Sequence, residues 1–244
     1  MKSEVAIKVD NLVAKYGSRT VLDGINFEVS AGDIFMIIGS SGSGKTTLLG
    51  QLLGLLRPFS GEILIDHASF TKAGDEERST ILKKIGVLYQ SGALFGSLNL
   101  FKNVALPLEE QTNLPKEAIF EIALSKLKMV GLDKFYYYLP DELSGGMRKR
   151  AGVARAMALD PKIIFLDEPA SGLDPISAAE LDYLIADLSR ILKTTFVIVS
   201  HHLPSVFRIA KKVILLHNGK IIAQGEPGEV SNSPHPFVKK FFNS

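Results

Sequence analysis

The chain contains no cysteine among its 244 residues. Disulfide bonds and thiolate-bound metal sites are therefore excluded, and the composition fits a reducing compartment. Long apolar runs are also lacking, since stretches such as 34–38 and 213–216 fall far short of the roughly 18 to 20 residues that a membrane-crossing helix needs. Residues 1–16 lack the apolar core of a secretion signal, so we do not expect export by that route. Any role at a membrane is expected to come through a partner.

An excess of charge of either sign is nearly absent. Lys and Arg number 28 against 26 for Asp and Glu, which gives a formal net charge of +2. This balance produces no broad positive field, so the sequence predicts no nucleic-acid partner. Hydrophobic residues make up 46% of the chain, which is ample for a well-buried core in one large α/β domain or two small ones.

The predicted strands show two different hydrophobic patterns. Alternation of apolar and polar residues predicts half-exposed strands at 6–9 and 26–29. Continuous apolar runs predict buried parallel strands at 34–38, 163–166 and 196–199. We therefore expect an α/β protein in which a small antiparallel sheet joins a parallel core.

Helical patterns alternate with these strands and then replace them for part of the chain. They lie at 46–56, 115–129, 145–158 and 178–192. Strand patterns are missing between about 98 and 159 and return at Lys162. We predict one domain over 1–244, made of a discontinuous α/β core with its antiparallel sheet (1–97 and 160–225), an inserted helical subdomain (98–159) and a C-terminal tail (226–244).

A glycine-rich segment after the run at 34–38 matches the pattern G-x-x-x-x-G-K-[ST]. Glycines allow consecutive backbone N–H groups to face one anion, and the next helix adds the positive end of its dipole. Lys45 is placed to reach the β- and γ-phosphates, and the Thr46 hydroxyl to bind Mg²⁺. The predicted nucleotide-binding residues here are Gly39, Ser40, Ser41, Gly42, Ser43, Gly44, Lys45, Thr46 and Thr47. This loop alone fits an ATPase, a kinase or a GTPase, although the Asn-Lys-x-Asp guanine motif is absent.

Two acids follow the apolar run at 163–166, where ligands bind in α/β folds. Asp167 is expected to bind Mg²⁺ directly or through water, because a hard cation prefers oxygen ligands. Glu168 is expected to orient or deprotonate the attacking water. Alone, the pair would be a solvated strand end or a helix cap, but its combination with the glycine loop favours a site.

The run Leu143-Ser-Gly-Gly-Met147, before a basic amphipathic helix, resembles the signature of the ATP-binding-cassette (ABC) ATPases. The resemblance covers nearly the whole chain. It implies a P-loop NTPase fold with a RecA-like parallel core, an antiparallel β subdomain and an inserted helical subdomain, and it implies ATP and Mg²⁺ as ligands. By the same resemblance, further residues stack on adenine (Tyr16), contact Mg²⁺ and the attacking water (Gln90), assist hydrolysis (His201) and form the D-loop (Ser171, Gly172, Leu173 and Asp174).

Three of these assignments have simpler alternatives. Tyr16 could only pack its ring, Gln90 could cap a strand, and His201 could be a satisfied core histidine. His202 is an equal candidate by residue type, and only the family pattern selects His201.

The signature itself has a physical rationale. Ser144 can cap a helix whose first turn, with Gly145 and Gly146, leaves backbone N–H groups open to an anion. The family resemblance implies that this turn completes the site of a partner subunit. A head-to-tail homodimer with two ATP molecules is therefore expected.

The stretch 139–156, above all Met147-Arg-Lys-Arg150, resembles the branch that works with mammalian-cell-entry (MCE) domain proteins in bacterial phospholipid trafficking. That branch implies a peripheral subunit at the cytoplasmic face of the inner membrane. Its expected partners are an integral membrane permease, bound through a groove near residues Gln90 to Leu100, and an MCE-domain protein. Another importer, or a cell-division cassette ATPase, stays open as an alternative.

Two further segments have more than one interpretation. The basic run Arg148, Lys149 and Arg150 fits a solvated helix face better than a specific contact. The tail at 234–242 either packs back on the domain or presents its aromatic residues to a partner.

Overall fold

A computed structural model describes residues 4–90, 92 and 94–243 of the chain. Its strands are β1 (Val5–Tyr16), β2 (Arg19–Ser30), β3 (Ile34–Gly39), β4 (Ser60–Ile65), β5 (Ala68–Ser69), β6 (Ile85–Leu88), β7 (Ile163–Asp167), β8 (Thr195–Ser200), β9 (Lys212–His217) and β10 (Lys220–Gly225). Its α-helices are α1 (Lys45–Leu52), α2 (Asp75–Leu82), α3 (Leu100–Gln111), α4 (Lys116–Met129), α5 (Gly145–Ala156), α6 (Pro175–Leu192), α7 (Leu203–Ile209), α8 (Pro227–Ser231) and α9 (Pro236–Phe242). Short 3₁₀ turns lie at Asp133–Phe135 and Pro140–Glu142.

The larger sheet has the strand order β10-β9-β3-β8-β7-β6. Its strands run parallel except β10, which is antiparallel to β9. Every residue of β3 and β8 is buried. Met36 and Ile38 of β3 pack into the core on the helical side, whereas Phe35 and Ile37 pack into the core shared with the smaller sheet. Burial on both faces explains the continuous apolar runs, and the predicted parallel core is confirmed.

The smaller sheet is antiparallel, with the order β2-β1-β4-β5. Strands β1 and β2 pair along their whole lengths, from Val5 opposite Ser30 to Tyr16 opposite Arg19. Their alternate apolar residues share one core with Leu48, Leu49 and Leu52 of helix α1. The expected antiparallel β subdomain is therefore present, with the alternation that one solvated face produces.

Helix α1 ends earlier than the pattern at 46–56 predicts. Gly54 adopts φ +72°, a left-handed conformation that stops a helix. The N–H groups of Leu55 and Leu56 turn back to the Gly50 carbonyl at 2.8 and 3.0 Å. The apolar pattern continues past the end of the helix because Leu56, in the turn, packs against Gly50 of the helix.

Helices α3, α4 and α5 occupy the segment in which the sequence lacks strand patterns. They share one core, to which Val104, Ala123, Leu127 and Val153 contribute fully buried side chains. The exact division of the chain at residues 98 and 159 stays a prediction. Within the described ranges, no helix has both the length and the apolar composition to cross a membrane.

The C-terminal tail packs back on the domain. Val238 of α9 is fully buried, and the Phe237 ring stacks on His217 with centroids 3.6 Å apart. Phe242 meets Phe207 of α7 edge to face at 5.8 Å. Of the two interpretations of the tail, the structure therefore supports packing against its own domain.

A glycine in β6 sets how closely helix α5 approaches the sheet. A Cβ atom at Gly86 would lie 2.1 Å from the backbone oxygen of Ala156. We expect Gly86→Ala to lower the free energy of unfolding by about 1–3 kcal/mol, because the helix end must move. Urea denaturation measures this change. Gly228→Ala, where no atom lies within 4 Å of the new Cβ, is the matched control, and equal effects of the two substitutions would contradict this packing argument.

Candidate active site

The glycine loop joins the buried strand β3 to helix α1 with a backbone that only glycine accommodates. Gly39, Gly42 and Gly44 have φ values of +153°, +77° and +107°. A Cβ atom at Gly39 would lie 2.4 Å from the Leu216 backbone oxygen, and one at Gly44 would lie 2.6 Å from the Leu22 side chain. The loop is therefore closely packed from behind, while the first turn of α1 has N–H groups without partners inside the helix.

Lys45, the first residue of α1, arches over this loop. Its ammonium group donates to the carbonyl oxygens of Gly39 at 2.7 Å and Ser40 at 3.0 Å. Burial lowers the pKa of Lys45, and the charges of Glu168 and Asp167 act in the opposite direction. The two carboxylates thus favour the cation that a phosphate needs.

The predicted acids lie at the carboxyl end of β7. Burial raises the pKa of Asp167, the neighbouring charge of Glu168 raises it further, and Lys149 and Lys45 oppose both effects. Glu168 has a left-handed backbone with φ +47°, which is uncommon for a side chain of this type. Its N–H group donates to the Val199 carbonyl at 2.8 Å, which ties the acid to the adjacent strand β8.

The Glu168 carboxylate is held by the end of β8. One oxygen lies 2.7 Å from Nδ1 of His201. The other accepts hydrogen bonds from the Ser200 hydroxyl at 3.2 Å and the His201 N–H at 3.4 Å. The side chain of Glu168 is 11% exposed and that of His201 65%, so the imidazole stands between the acid and solvent.

The two adjacent histidines face different partners. Nδ1 of His202 lies 2.7 Å from the Ser205 hydroxyl, which donates to the buried carboxylate of Asp182 at 2.7 Å. His202 therefore belongs to a network between α7 and α6. The geometry places His201, which is largely exposed, beside Glu168, and its role in hydrolysis stays a prediction.

One cavity brings many of the predicted residues together. It is lined by Tyr16, Arg19, Val21, Ser41, Gly42, Gly44, Lys45, Thr46, Thr47, Gln90, Asp167, Glu168, Val199 and His201. Tyr16 is 52% exposed, so its ring does not merely fill a core. Gly39, Ser40 and Ser43 do not line the cavity, and neither do residues 144–146 and 171–174.

The donor set at this cavity fits Mg²⁺ bound together with a nucleotide. Thr46, Gln90 and Asp167 offer hydroxyl, amide and carboxylate oxygens, as a hard cation requires. Across residues 4–90, 92 and 94–243, no three His, Asp or Glu side chains form a cluster able to hold a metal ion. Magnesium usually takes its remaining ligands from phosphates and water, so a single protein carboxylate is sufficient here.

The signature residues form a second helix N-terminus. Ser144 caps α5, and its hydroxyl accepts from the Met147 N–H at 3.2 Å. A Cβ at Gly145 would lie 3.4 Å from the Leu173 side chain. The D-loop residue Asp174 caps α6 in the same way, accepting from the N–H groups of Ile176 and Ser177 at 3.0 Å each. The signature and the D-loop thus form adjacent helix starts, outside the cavity that contains Lys45.

The basic run after the signature is not a solvated face. Lys149 is only 7% exposed, so that interpretation is wrong for this residue. Arg148 donates to the Leu143 carbonyl at 2.6 Å, and Arg150 pairs with Glu180 of α6 at 2.6 Å. Each of the three cations therefore has a specific contact.

Sequence reasoning missed three polar residues at or beside the site. Arg19 lines the cavity, Ser200 donates to the Glu168 carboxylate, and Lys149 lies behind the two acids. Ser200 had a usable signal, because it directly precedes the predicted histidine at the end of an apolar strand. Arg19 and Lys149 had none, since isolated cations in a turn or a basic run occur on most protein surfaces.

A glycine-rich loop of this kind binds a polyphosphate, and acids at the end of a neighbouring strand can bind the accompanying Mg²⁺. P-loop NTPases are the class of protein that combines these two features. A sequence model of the family described as "ABC transporter" matches residues 22–171, and the chain belongs to that family. It is accordingly an ATPase that binds ATP with Mg²⁺.

Individual relatives cover nearly the whole chain. The intermembrane phospholipid transport system ATP-binding protein MlaF of Haemophilus influenzae is 43% identical over 96% of this chain and 89% of that protein. The probable ribonucleotide transport ATP-binding protein mkl of Mycobacterium leprae is 40% identical over 100% of this chain and 70% of that protein. The dimeric cassette MJ0796, solved in a post-hydrolysis state with ADP and phosphate, superposes with a TM-score of 0.80 at 31% identity, over 91% of this chain and 98% of that one.

The different contacts of the two histidines lead to a direct test. We expect His201→Ala to lower kcat about a hundredfold or more, because the group beside Glu168 is lost. His202→Ala should keep most of the turnover, since its ring contacts Ser205 instead. Steady-state phosphate release measures both variants, and a larger loss in His202→Ala would contradict the assignment.

Proposed function

We propose that this chain is the ATP-hydrolysing motor of a bacterial transporter that moves phospholipids or related lipids, with its membrane-spanning subunits on other chains. The observation that carries the proposal is the similarity to MlaF over nearly the full length of both proteins. It is supported by the run Met147 to Arg150, which resembles the corresponding run of the phospholipid-trafficking branch.

The working unit in this proposal is a head-to-tail homodimer. Residues 144–146 form a helix start that can bind an anion, yet they lie outside the cavity of their own chain. A twofold arrangement would place each signature opposite the glycine loop of the other copy, so that two ATP molecules are bound between them. MJ0796, a cassette of the same fold, is dimeric.

Hydrolysis then depends on positioning. The first-turn N–H groups of α1 and the Lys45 ammonium hold the phosphates, and the Tyr16 ring stacks on the adenine. Thr46, Gln90 and Asp167 would hold Mg²⁺, which would supply positive charge beside the phosphoryl oxygens. Glu168 orients the attacking water and accepts its proton, while His201 holds the carboxylate in place. Gln90, whose amide lies 3.4 Å from the Ser171 hydroxyl, links this site to the D-loop.

A permease would bind beside Gln90. Residues 95–98 are tied to helix α3 by Asn103, a fully buried residue whose amide donates to the carbonyls of Phe95 and Leu98 at 3.1 and 2.8 Å. The Phe95 side chain is 50% exposed, whereas Leu94 packs against the core. Ser91 and Ala93, which also belong to the predicted groove, lie outside the described residues.

This proposal places the chain at the cytoplasmic face of the inner membrane, as a peripheral subunit beside the permease and an MCE-domain protein. Two other roles are the alternatives, because the mycobacterial relative carries a ribonucleotide transport name and a cell-division cassette would share the same site. Affinity purification of the chain from its native membrane separates the three roles. Recovery of a multi-spanning permease with an MCE-domain protein, and ATP-dependent lipid transfer by the reconstituted complex, would support lipid transport. A division protein in place of the permease would refute it.

The role of Glu168 is testable in the chain alone. Glu168→Gln keeps the shape of the side chain but removes its basicity, so we expect hydrolysis to fall about 10²- to 10⁴-fold while ATP binding is retained. The variant should accumulate as an ATP-bound dimer, which light scattering after size exclusion detects. Glu110→Gln, on the exposed face of α3, is the matched control. Hydrolysis at the wild-type rate in Glu168→Gln would show that another group orients the water.

A further inference from the structure

Lys149 is a buried cation that the hydrolysis scheme above does not use. It lies on α5, just after the signature, and only 7% of its surface is exposed. Its ammonium group donates to the carbonyl oxygen of Gln90 and, at 3.4 Å, to that of Glu168. These carbonyls follow the neighbouring strands β6 and β7, so one side chain joins the signature helix to both functional segments of the same subunit.

The charge of Lys149 is compensated at a distance. Burial lowers the pKa of Lys149, while the charges of Asp167 and Glu168 oppose that shift. In the described part of the chain, no carboxylate oxygen lies within 4.0 Å of the Lys149 ammonium group. Two backbone carbonyls are thus its direct partners. A buried cation bound to carbonyls, with acids nearby, is suited to holding backbone segments together.

Helix α5 also lies directly against the segment that contains Gln90. A Cβ atom at Gly152 would lie 2.4 Å from the Leu88 side chain and 3.2 Å from the Gly92 carbonyl oxygen. Arg155, one turn further along, donates to that same oxygen at 3.5 Å. The helix is therefore in contact with Leu88, Gln90 and Gly92 over much of its length. Because a hydrogen-bonded helix is stiff, displacement of its N-terminus moves these contacts as well.

We propose that Lys149 is a positioning residue that couples the two nucleotide sites of the dimer. The inference rests on the proposed function, in which residues 144–146 bind the ATP of the partner subunit. When the partner's ATP contacts the N-terminus of α5, Lys149 transmits the resulting position of the helix to the backbone of Gln90 and Glu168. Each subunit thereby aligns its own hydrolytic residues only when the signature is engaged.

The coupling predicts a specific kinetic change. Lys149→Met removes the donor but keeps the length of the side chain, and it leaves Tyr16, Lys45 and the glycine loop intact. We expect kcat to fall about tenfold or more and the Hill coefficient for ATP to approach one, as a lost coupling between sites requires. Affinity for a fluorescent ATP analogue should stay within about twofold of the wild type, because the phosphate contacts are unchanged.

Three controls separate this role from a general loss of structure. Arg150→Met removes the neighbouring cation, whose contact is with Glu180, and should keep the wild-type Hill coefficient. Lys149→Arg preserves a charged donor and should restore most of the turnover. If Lys149→Met lowers the melting temperature too far for assay, Lys149→Gln is assayed in its place, with the same expected loss of kcat and of the Hill coefficient, because its uncharged side chain is one atom shorter and is not expected to bridge both carbonyls.

The outcomes are distinguishable. Wild-type kcat and Hill coefficient in Lys149→Met would overturn the coupling, and so would a lower kcat with an unchanged Hill coefficient. Dimerisation of the otherwise wild-type chain is measured separately, with Glu168→Gln and ATP. If that dimer does not form, the proposed homodimer itself is wrong and the coupling fails with it.

Discussion

The parallel alignment of β3, β8, β7 and β6 is the constraint on which the site depends. Because these strands run in one direction, their carboxyl ends emerge at the same edge of the sheet. The glycine loop, the acids, His201 and Gln90 each follow one of these ends. Distant parts of the chain therefore meet without any local sequence relation among them.

Electrostatic balance at this edge involves two cations and two acids. Lys45 approaches Asp167 and Glu168 from the glycine loop, and Lys149 approaches them from the signature helix. Burial disfavours the charge of both lysines and of Asp167, and the opposite charges nearby offset part of that cost. The two lysines occupy different positions. Lys45 lines the cavity, whereas Lys149 donates to backbone carbonyls behind the acids. Their separate positions connect the two acids to both the glycine loop and the signature helix.

Much of the fold and of the site could be predicted because the relevant signals are contiguous. The glycines of the loop must adopt positive φ, and the residue types that permit it stand side by side in the sequence. Continuous apolar runs predicted the buried parallel strands, since burial on two faces leaves no polar position. The end of α1 was not predicted, because the apolar pattern continues into the turn at Gly54. Equally, the burial of Lys149 could not be inferred, because a run of three cations has the same pattern on any solvated helix.

The sequence by itself determined the P-loop, the position of the acids after a buried strand and the cap of the signature helix. These features depend on backbone conformation and hydrophobic periodicity over a few adjacent residues. Only the tertiary structure decided that His201 rather than His202 contacts Glu168, that Ser200 holds the same carboxylate, and that Lys149 joins three segments. The physical reason is that such contacts depend on the register between neighbouring strands and on the close approach of α5, neither of which is written in any short stretch of sequence.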